Sequence, residues 1–271
     1  NKASTLKGLN FSINQGEVFG FLGPSGAGKS TTQKIIIGIL KGYQGSVQVQ
    51  GTEISGITAD YYENIGVGFE VPNLYSKLTA EENLSFFKSL YKGPTEEIAD
   101  WLAKVGLQEA ADTRVAEFSK GMKVRLNFCR AFLNQPQLVF LDEPTSGLDP
   151  VNAQKIKDII LEQKKQGQTI FLTTHNMQVA ADLCDRVAFI VDGRIELIDS
   201  PRTLKLDRGQ KIVKVEYQST NQVKTEEFDL AGLGTDKEFL NLLQEKEIET
   251  IHTQEPTLDD IFIEVTGREL R

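Results

Sequence analysis

Three short stretches of this chain carry residue types that could do chemistry on a nucleotide. In the first, Gly23-Pro24-Ser25-Gly26-Ala27-Gly28-Lys29-Ser30, the spacing is G-x-x-x-x-G-K-[ST] at every fixed position. Glycines there let the backbone turn tightly enough to aim successive N–H groups at the α- and β-phosphates of a nucleotide triphosphate, and a following helix adds the positive end of its dipole. Lys29 then reaches the β- and γ-phosphates, Ser30 offers a hydroxyl to Mg2+, and Thr31 follows as a further nucleotide-binding candidate. A Gly-rich turn beside a surface lysine is the plainer alternative for this motif alone. The second stretch, Asp142-Glu143, closes the apolar run Leu138 to Leu141. Open α/β sheets bind ligands beyond the carboxyl ends of their strands, where Asp142 can hold Mg2+ through water and Glu143 can accept a proton from an attacking water. Two acidic residues capping a strand would look the same. The third, Thr174-His175, also follows a buried strand, which places His175 to contact the γ-phosphate; a solitary histidine is otherwise a surface or core residue.

The elements that must position these groups are legible as alternating patterns. Leu6 to Ile13 and Glu17 to Leu22 read as strands around the turn Asn14-Gln15-Gly16, with Ile35 to Leu40 helix-like after the phosphate loop. Ser46 to Ile54 suggests an edge hairpin, and Ile65 to Phe69 a strand ending at Glu70. Helical periodicity runs from Pro72 to about Leu133, the pattern of a helical subdomain inserted into an α/β core. Inside it, Phe118-Ser119-Lys120-Gly121-Met122 precedes the helix-like Lys123 to Phe132; Ser119 suits an N-cap and Gly121 permits close approach, which by itself describes a capped helix. After Asp142-Glu143 come a polar turn ending at Asp149-Pro150, a helix from about Val151 to Gln166, the strand Thr169 to Thr173, and a hairpin of Arg186–Val191 and Arg194–Asp199 joined by Asp192-Gly193. The expected domains are 1–208, with the helical insertion at about 72–133, and 209–271. In the latter, Lys211 to Gln218 and Thr225 to Leu230 suit paired strands, and Lys237 to Leu243 and Leu258 to Val265 suit helices. That smaller unit shows no catalytic constellation.

Composition sets the outer bounds. With 271 residues, 39% hydrophobic and 25% charged, the chain is an ordinary globular sequence, and no apolar run approaches the roughly 18 to 20 residues of a membrane-spanning helix. The start, Asn1-Lys2-Ala3-Ser4, has no apolar leader and gives no sign of secretion. Of the net charge of −8, the region Gly209–Arg271 holds most, with 7 basic and 14 acidic residues, a balance that disfavours nucleic acid. Cys129 and Cys184 lie in apolar stretches without metal-ligand spacing and read as reduced, buried thiols.

Taken in order, the phosphate loop, Ser119-Lys120-Gly121, Asp142-Glu143, Ser146 to Asp149 and His175 resemble the nucleotide-binding subunit of ATP-binding cassette (ABC) transporters over nearly the whole chain. The resemblance implies a RecA-like P-loop α/β core with an antiparallel β edge and an inserted helical subdomain, followed here by a small α+β C-terminal unit. It also implies a head-to-tail homodimer that closes on two ATP molecules and drives a separate transmembrane permease, leaving this chain cytoplasmic on the inner face of the membrane. Ser119 and Gly121 would then contact the γ-phosphate bound by the other protomer, Asp149 would communicate across the dimer, and a permease helix would dock beside Glu70 to Tyr75. The form Phe118 to Met122, with Glu255 to Phe262 and Thr266-Gly267-Arg268, is similar to a bacterial subgroup that includes drug and antibiotic exporters. Two departures stand out. Residues 1–5 hold no aromatic side chain to stack on adenine, and Glu70 occupies the position of the usual glutamine, where it is expected to ligate Mg2+ or to face solvent until a permease docks. A soluble or regulatory ABC-type ATPase, not coupled to transport, is the alternative reading.

Overall fold

In a computed structural model of the chain, the described residues are 5–208, 211–219, 222–254 and 256–268. Asn1–Ser4, Gly209 at the expected boundary and Glu255 of the exporter-like stretch therefore lie outside them. The chain divides into two compact units, Asn1–Pro201 with Arg268–Arg271, and Arg202–Gly267.

The first unit is built on a continuous apolar run. Val18–Leu22 (β1) is buried at all five positions, as a strand covered on both faces must be. It delivers the phosphate loop and then the helix Lys29–Ile36 (α1). Next come a two-stranded hairpin, Gln48–Val49 (β2) with Thr52–Glu53 (β3), the short helix Ala59–Glu63 (α2) and the strand Ile65–Gly68 (β4). Three helices form the insertion: Ala80–Lys88 (α3), opened by a Thr79–Glu82 capping box, Ile98–Lys104 (α4) and Lys120–Arg130 (α5). Stacking of Trp101 on Phe132, with Phe128 beside both, closes their core. The chain returns through Leu138–Asp142 (β5), Pro150–Lys165 (α6), Thr169–Thr174 (β6), Met177–Leu183 (α7), Arg186–Val191 (β7) and Arg194–Asp199 (β8). The six-stranded sheet has the order β4-β5-β6-β1-β7-β8, parallel except for the antiparallel edge strand β8. Against one face pack Phe19, Phe21, Phe140 and Phe171, among the largest fully buried side chains.

The second unit comprises most of Pro201–Arg208 (α8), then Ile212–Ser219 (β9), Gln222–Asp229 (β10), Lys237–Glu245 (α9), Glu247–Gln254 (β11) and Leu258–Thr266 (α10). Its sheet has the order β10-β9-β11, and Val213, Val215 and Tyr217 meet Phe239 and Leu242 of α9 in a separate small core.

Three sequence expectations are corrected. Leu6 to Ile13 is not a strand: Leu9, Phe11 and Ile13 are half-buried against the core, but the described backbone joins no ladder, and Lys7 N–H donates instead to Gly193 O at 2.8 Å. Period-two burial there reports side-chain packing without strand pairing. The helix expected at Ile35 to Leu40 begins earlier, at Lys29, and ends at Ile36, because Gly38 at φ +82° turns the chain and leaves Ile39 and Leu40 exposed. The division between compact units falls at 201/202 rather than 208/209, and within the second unit Arg208 of α8 pairs with Glu264 at 2.6 Å. Elements α2, α7, α8 and β11 had no counterpart in the sequence reading.

Candidate active site

Strand register assembles the centre of the site. Because β5 and β6 are parallel with Asp142 opposite Thr173, each residue of Asp142-Glu143 has a threonine as its neighbour on the same side. Thr173 Oγ1 donates to Asp142 Oδ1, and Thr174 Oγ1 donates to Glu143 Oε2 at 2.8 Å. Glu143 Oε1 accepts the His175 backbone N–H at 2.8 Å and faces His175 Nδ1 at 2.6 Å. The predicted base and the predicted γ-phosphate contact are thus brought together. Both carboxylates are buried, whereas the His175 side chain is 60% exposed. Glu143 also has a φ of +50°, a left-handed backbone that few non-glycine residues adopt and that often marks a functional site.

The phosphate loop meets these groups from β1. Ser30 Oγ lies 3.2 Å from Asp142 Oδ2, so a hydroxyl and a carboxylate converge from the two motifs. This all-oxygen pair fits Mg2+, a hard cation that draws its remaining ligands from phosphate and water. Among the described residues no group of three or more His, Cys, Asp or Glu could hold a metal ion. The Lys29 ammonium is buried and donates to Gly23 O at 2.5 Å and Pro24 O at 3.1 Å. Burial pushes its pKa down, against the opposing pull of the Glu143, Asp142 and Glu70 carboxylates. Helix α1 starts at Gly28, φ +114°, with no side chain capping its first N–H groups, the arrangement that suits an anion. Ser25 and Gly26 are exposed while Gly23, Ala27 and Gly28 are buried. Gly23 has another role than turning: a Cβ there would lie 2.1 Å from Ile190 O of β7. Thr31 is half-buried in the first turn of α1 and borders a cavity of about 1630 Å³ lined by Phe11, Ile36, Val49 and Phe140, which none of residues 23–30 lines. Asp142, Glu143 and His175 stand at the strand ends and do not line that space.

The remaining candidates stand at the ends of neighbouring elements. Glu70, exposed, follows β4 and shares with Asp142, Glu143 and Asn127 the lining of a cavity of about 10 Å³. Ser119 caps α5 by accepting the Met122 N–H at 3.2 Å, and Gly121 lies in the first turn of that helix, its would-be Cβ 3.5 Å from Leu148. Asp149 caps α6: Asn152 donates its backbone N–H at 3.0 Å and its amide Nδ2 at 2.6 Å. The amide, and then the backbone N–H, hold the Asp149 carboxyl below the usual carboxylate range. Within one chain Ser119, Gly121 and Asp149 donate nothing to the Lys29 or Glu143 cluster in any described hydrogen bond.

Sequence reasoning passed over Thr173, Thr174 and Asn127. The two threonines could have been found only by aligning Thr173-Thr174-His175 with Asp142-Glu143 across the sheet, a register that no local pattern prints. Asn127, buried in α5, donates to Phe69 O at 2.8 Å and so ties that helix to the end of β4.

Comparison with known proteins agrees with this geometry. The profile of the family described as ABC transporter matches residues 6–146, and that of the fluoroquinolone efflux ABC transporter C-terminal domain matches residues 211–255. The fluoroquinolones export ATP-binding protein of Mycobacterium tuberculosis (strain H37Rv) is 54% identical over 98% of this chain and 88% of its own length. The linearmycin resistance ATP-binding protein of Bacillus subtilis (strain 168) is 33% identical over 100% of this chain and 96% of its own. Among solved structures, an ATP-binding subunit of an ABC transporter superposes with a TM-score of 0.70 at 30% identity, covering 77% of this chain and 89% of that one. A dimeric, post-hydrolysis ATP-binding cassette holding ADP and Pi superposes with a TM-score of 0.66 at 28% identity, covering 72% and 90%. The site assembled above therefore has its place in a known lineage, and the chain belongs to the ABC transporter family as an ATP-binding, ATP-hydrolysing subunit.

Proposed function

We propose that this chain powers an exporter, hydrolysing ATP in a homodimer that moves a separate transmembrane permease. The observation that carries the reading is the alignment of Asp142-Glu143 with Thr173-Thr174-His175 beside Ser30 and Lys29. Gly23 to Thr31 bind the phosphates, with Pro24, Ser25, Gly26, Ala27 and Gly28 shaping the loop; Ser30 and Asp142 would hold Mg2+, and the exposed Glu70 would either add a further ligand or face solvent until a permease docks. Mg2+ would supply charge neutralisation at the phosphates. Glu143 accepts the proton of the water that adds to the γ-phosphorus as ADP leaves, and His175 turns its exposed ring to the γ-phosphate. Ser119 and Gly121 serve the partner protomer's nucleotide and Asp149 communicates across the dimer, in keeping with their placement outside the chain's own cluster.

No described helix is long and apolar enough to cross a membrane; in this reading the chain meets the membrane through the permease. Val71 and Tyr75 are exposed shortly after Glu70, Phe86 is exposed on α3 and Leu90 just beyond it, and the Tyr75 and Phe86 rings meet at 4.9 Å, apolar side chains suited to a permease helix. The named relatives favour export of a fluoroquinolone-like drug, selected by the permease. The deciding experiment compares the solution mass of Glu143→Gln with and without ATP, beside the steady-state ATPase activity of the unmodified chain. A dimer that forms only with ATP, and turnover only in the unmodified chain, is expected; a variant monomeric with ATP together with an inactive parent would favour a regulatory module.

A further inference from the structure

We infer that Thr174 is a positioning residue for hydrolysis, holding the Glu143 carboxylate in place while the His175 ring leaves it for the γ-phosphate. The inference rests on the reading of Glu143 as proton acceptor and of His175 as the γ-phosphate contact.

Glu143 is held by three groups: the Thr174 hydroxyl, the His175 backbone N–H and the His175 ring. They differ in freedom. The His175 ring belongs to a side chain 60% exposed, whereas Thr174 is 1% exposed at the end of β6, where it pairs with Leu22 of β1. The direction of the Thr174 proton is also fixed. Its Oγ1 accepts the Asn176 backbone N–H at 3.0 Å, which leaves the hydroxyl hydrogen for Glu143 Oε2 at 2.8 Å. Asn176 in turn caps α7 through the Val179 N–H at 3.0 Å, so the donor stands on a continuous, locally bonded frame. Once the ring turns away, Thr174 is the sole described side chain still bonded to Glu143, with the His175 N–H on the other oxygen. Two fixed donors on two different oxygens define the plane of the carboxylate; one would leave it free to rotate. The left-handed backbone of Glu143, φ +50°, is a strained conformation that persists only where the surroundings over-determine it, and these bonds are part of that restraint.

The test uses the full chain with Thr174→Val, Thr174→Ser and Thr174→Ala, measuring steady-state ATPase activity against ATP concentration and the ATP-dependent mass in a Glu143→Gln background. Losing a hydrogen bond to a charged group is expected to lower kcat at least about tenfold in Thr174→Val and Thr174→Ala. KM and ATP-dependent dimerisation should stay within twofold of the parent by this reasoning, and Thr174→Ser should recover kcat to within about threefold. The Ser and Ala variants both lose the methyl group, so their ratio isolates the hydroxyl if Val disturbs folding. Equal kcat in Ser and Ala, or a parental kcat in Val, would overturn the assignment of Thr174 while leaving the ATPase reading intact. A parent chain no faster than Glu143→Gln would instead remove the reading beneath it, and the assignment with it.

Discussion

Replacing the first glycine of the phosphate loop should damage the fold more than replacing the second. At Gly23 an added Cβ would sit 2.1 Å from Ile190 O and 3.1 Å from Ile190 Cγ2, where real Cβ atoms essentially never approach a neighbour closer than 3.0 Å. The obstacle is main chain on β7, which is hydrogen-bonded to β1 up to Leu22 opposite Phe189. Relief requires the loop and β7 to part by nearly 1 Å, given that 3.0 Å limit. Overpacking that cannot relax through a side chain costs about 3 kcal/mol, the upper end of the usual range. Gly26 is different: nothing lies within 4 Å of its would-be Cβ, and only its φ of +80° opposes a side chain. That conformation costs about 1 kcal/mol. For a chain of this size about 2–4 °C of Tm accompanies each kcal/mol, so Gly23→Ala should lose about 6–12 °C and Gly26→Ala about 2–4 °C. Thermal unfolding with and without ATP measures both effects, since the ligand-induced rise in Tm tracks affinity. Gly23→Ala should also lose most of that rise, because the displaced loop carries the carbonyls that hold Lys29. A Gly23→Ala protein melting within 2 °C of the parent, or one more stable than Gly26→Ala, would refute the close-approach argument.

Other expectations follow from the same geometry. Glu70→Gln removes one of the three carboxylates that act on Lys29, and it should raise the Mg2+ concentration needed for half-maximal ATPase activity if Glu70 ligates the ion; an unchanged Mg2+ titration would assign Glu70 to solvent or a permease instead. The Asp149 carboxyl, depressed by Asn152, stabilises the start of α6 above the unfolded carboxylate range and loses that contribution as pH falls through the lower folded value. Asn152→Ala should therefore raise the Asp149 titration midpoint, read by carboxyl carbon NMR, and an unmoved midpoint would contradict the cap. Burial pushes the Cys129 and Cys184 thiols up, so neither should react with a disulfide reagent at pH 8 until guanidinium unfolds the chain; labelling of the native protein would show that one of them is accessible.

Much of the site was legible because its chemistry is written locally. The loop from Gly23 to Ser30, the carboxylates after an apolar run and the histidine after a strand each fit within a few consecutive residues. Gly23 shows where such reading stops: its glycine looks like one more hinge of the loop, but the reason for it is a carbonyl on a strand about 170 residues away. The strand expected at Leu6 to Ile13 failed for a related reason, since alternation records which side chains are covered and says nothing of which backbone groups pair. Helix α7 did carry a signal, Asn176 as N-cap followed by Met177, Ala180 and Leu183, all three buried. In β11 a bulge between Ile248 and Thr250 breaks the period of two and hides the strand from pattern reading.

The position of β1 between β6 and β7 has a consequence for how the protein comes into being. The strand bearing the phosphate loop leaves the ribosome before both of its hydrogen-bonding neighbours, which are encoded after residue 168. At about 5–20 residues per second, roughly 7–30 seconds separate the synthesis of β1 from that of β6. During that interval five consecutive apolar-strand residues have no ladder to join, so the nascent chain depends on delay, dilution or a chaperone to keep them from pairing elsewhere.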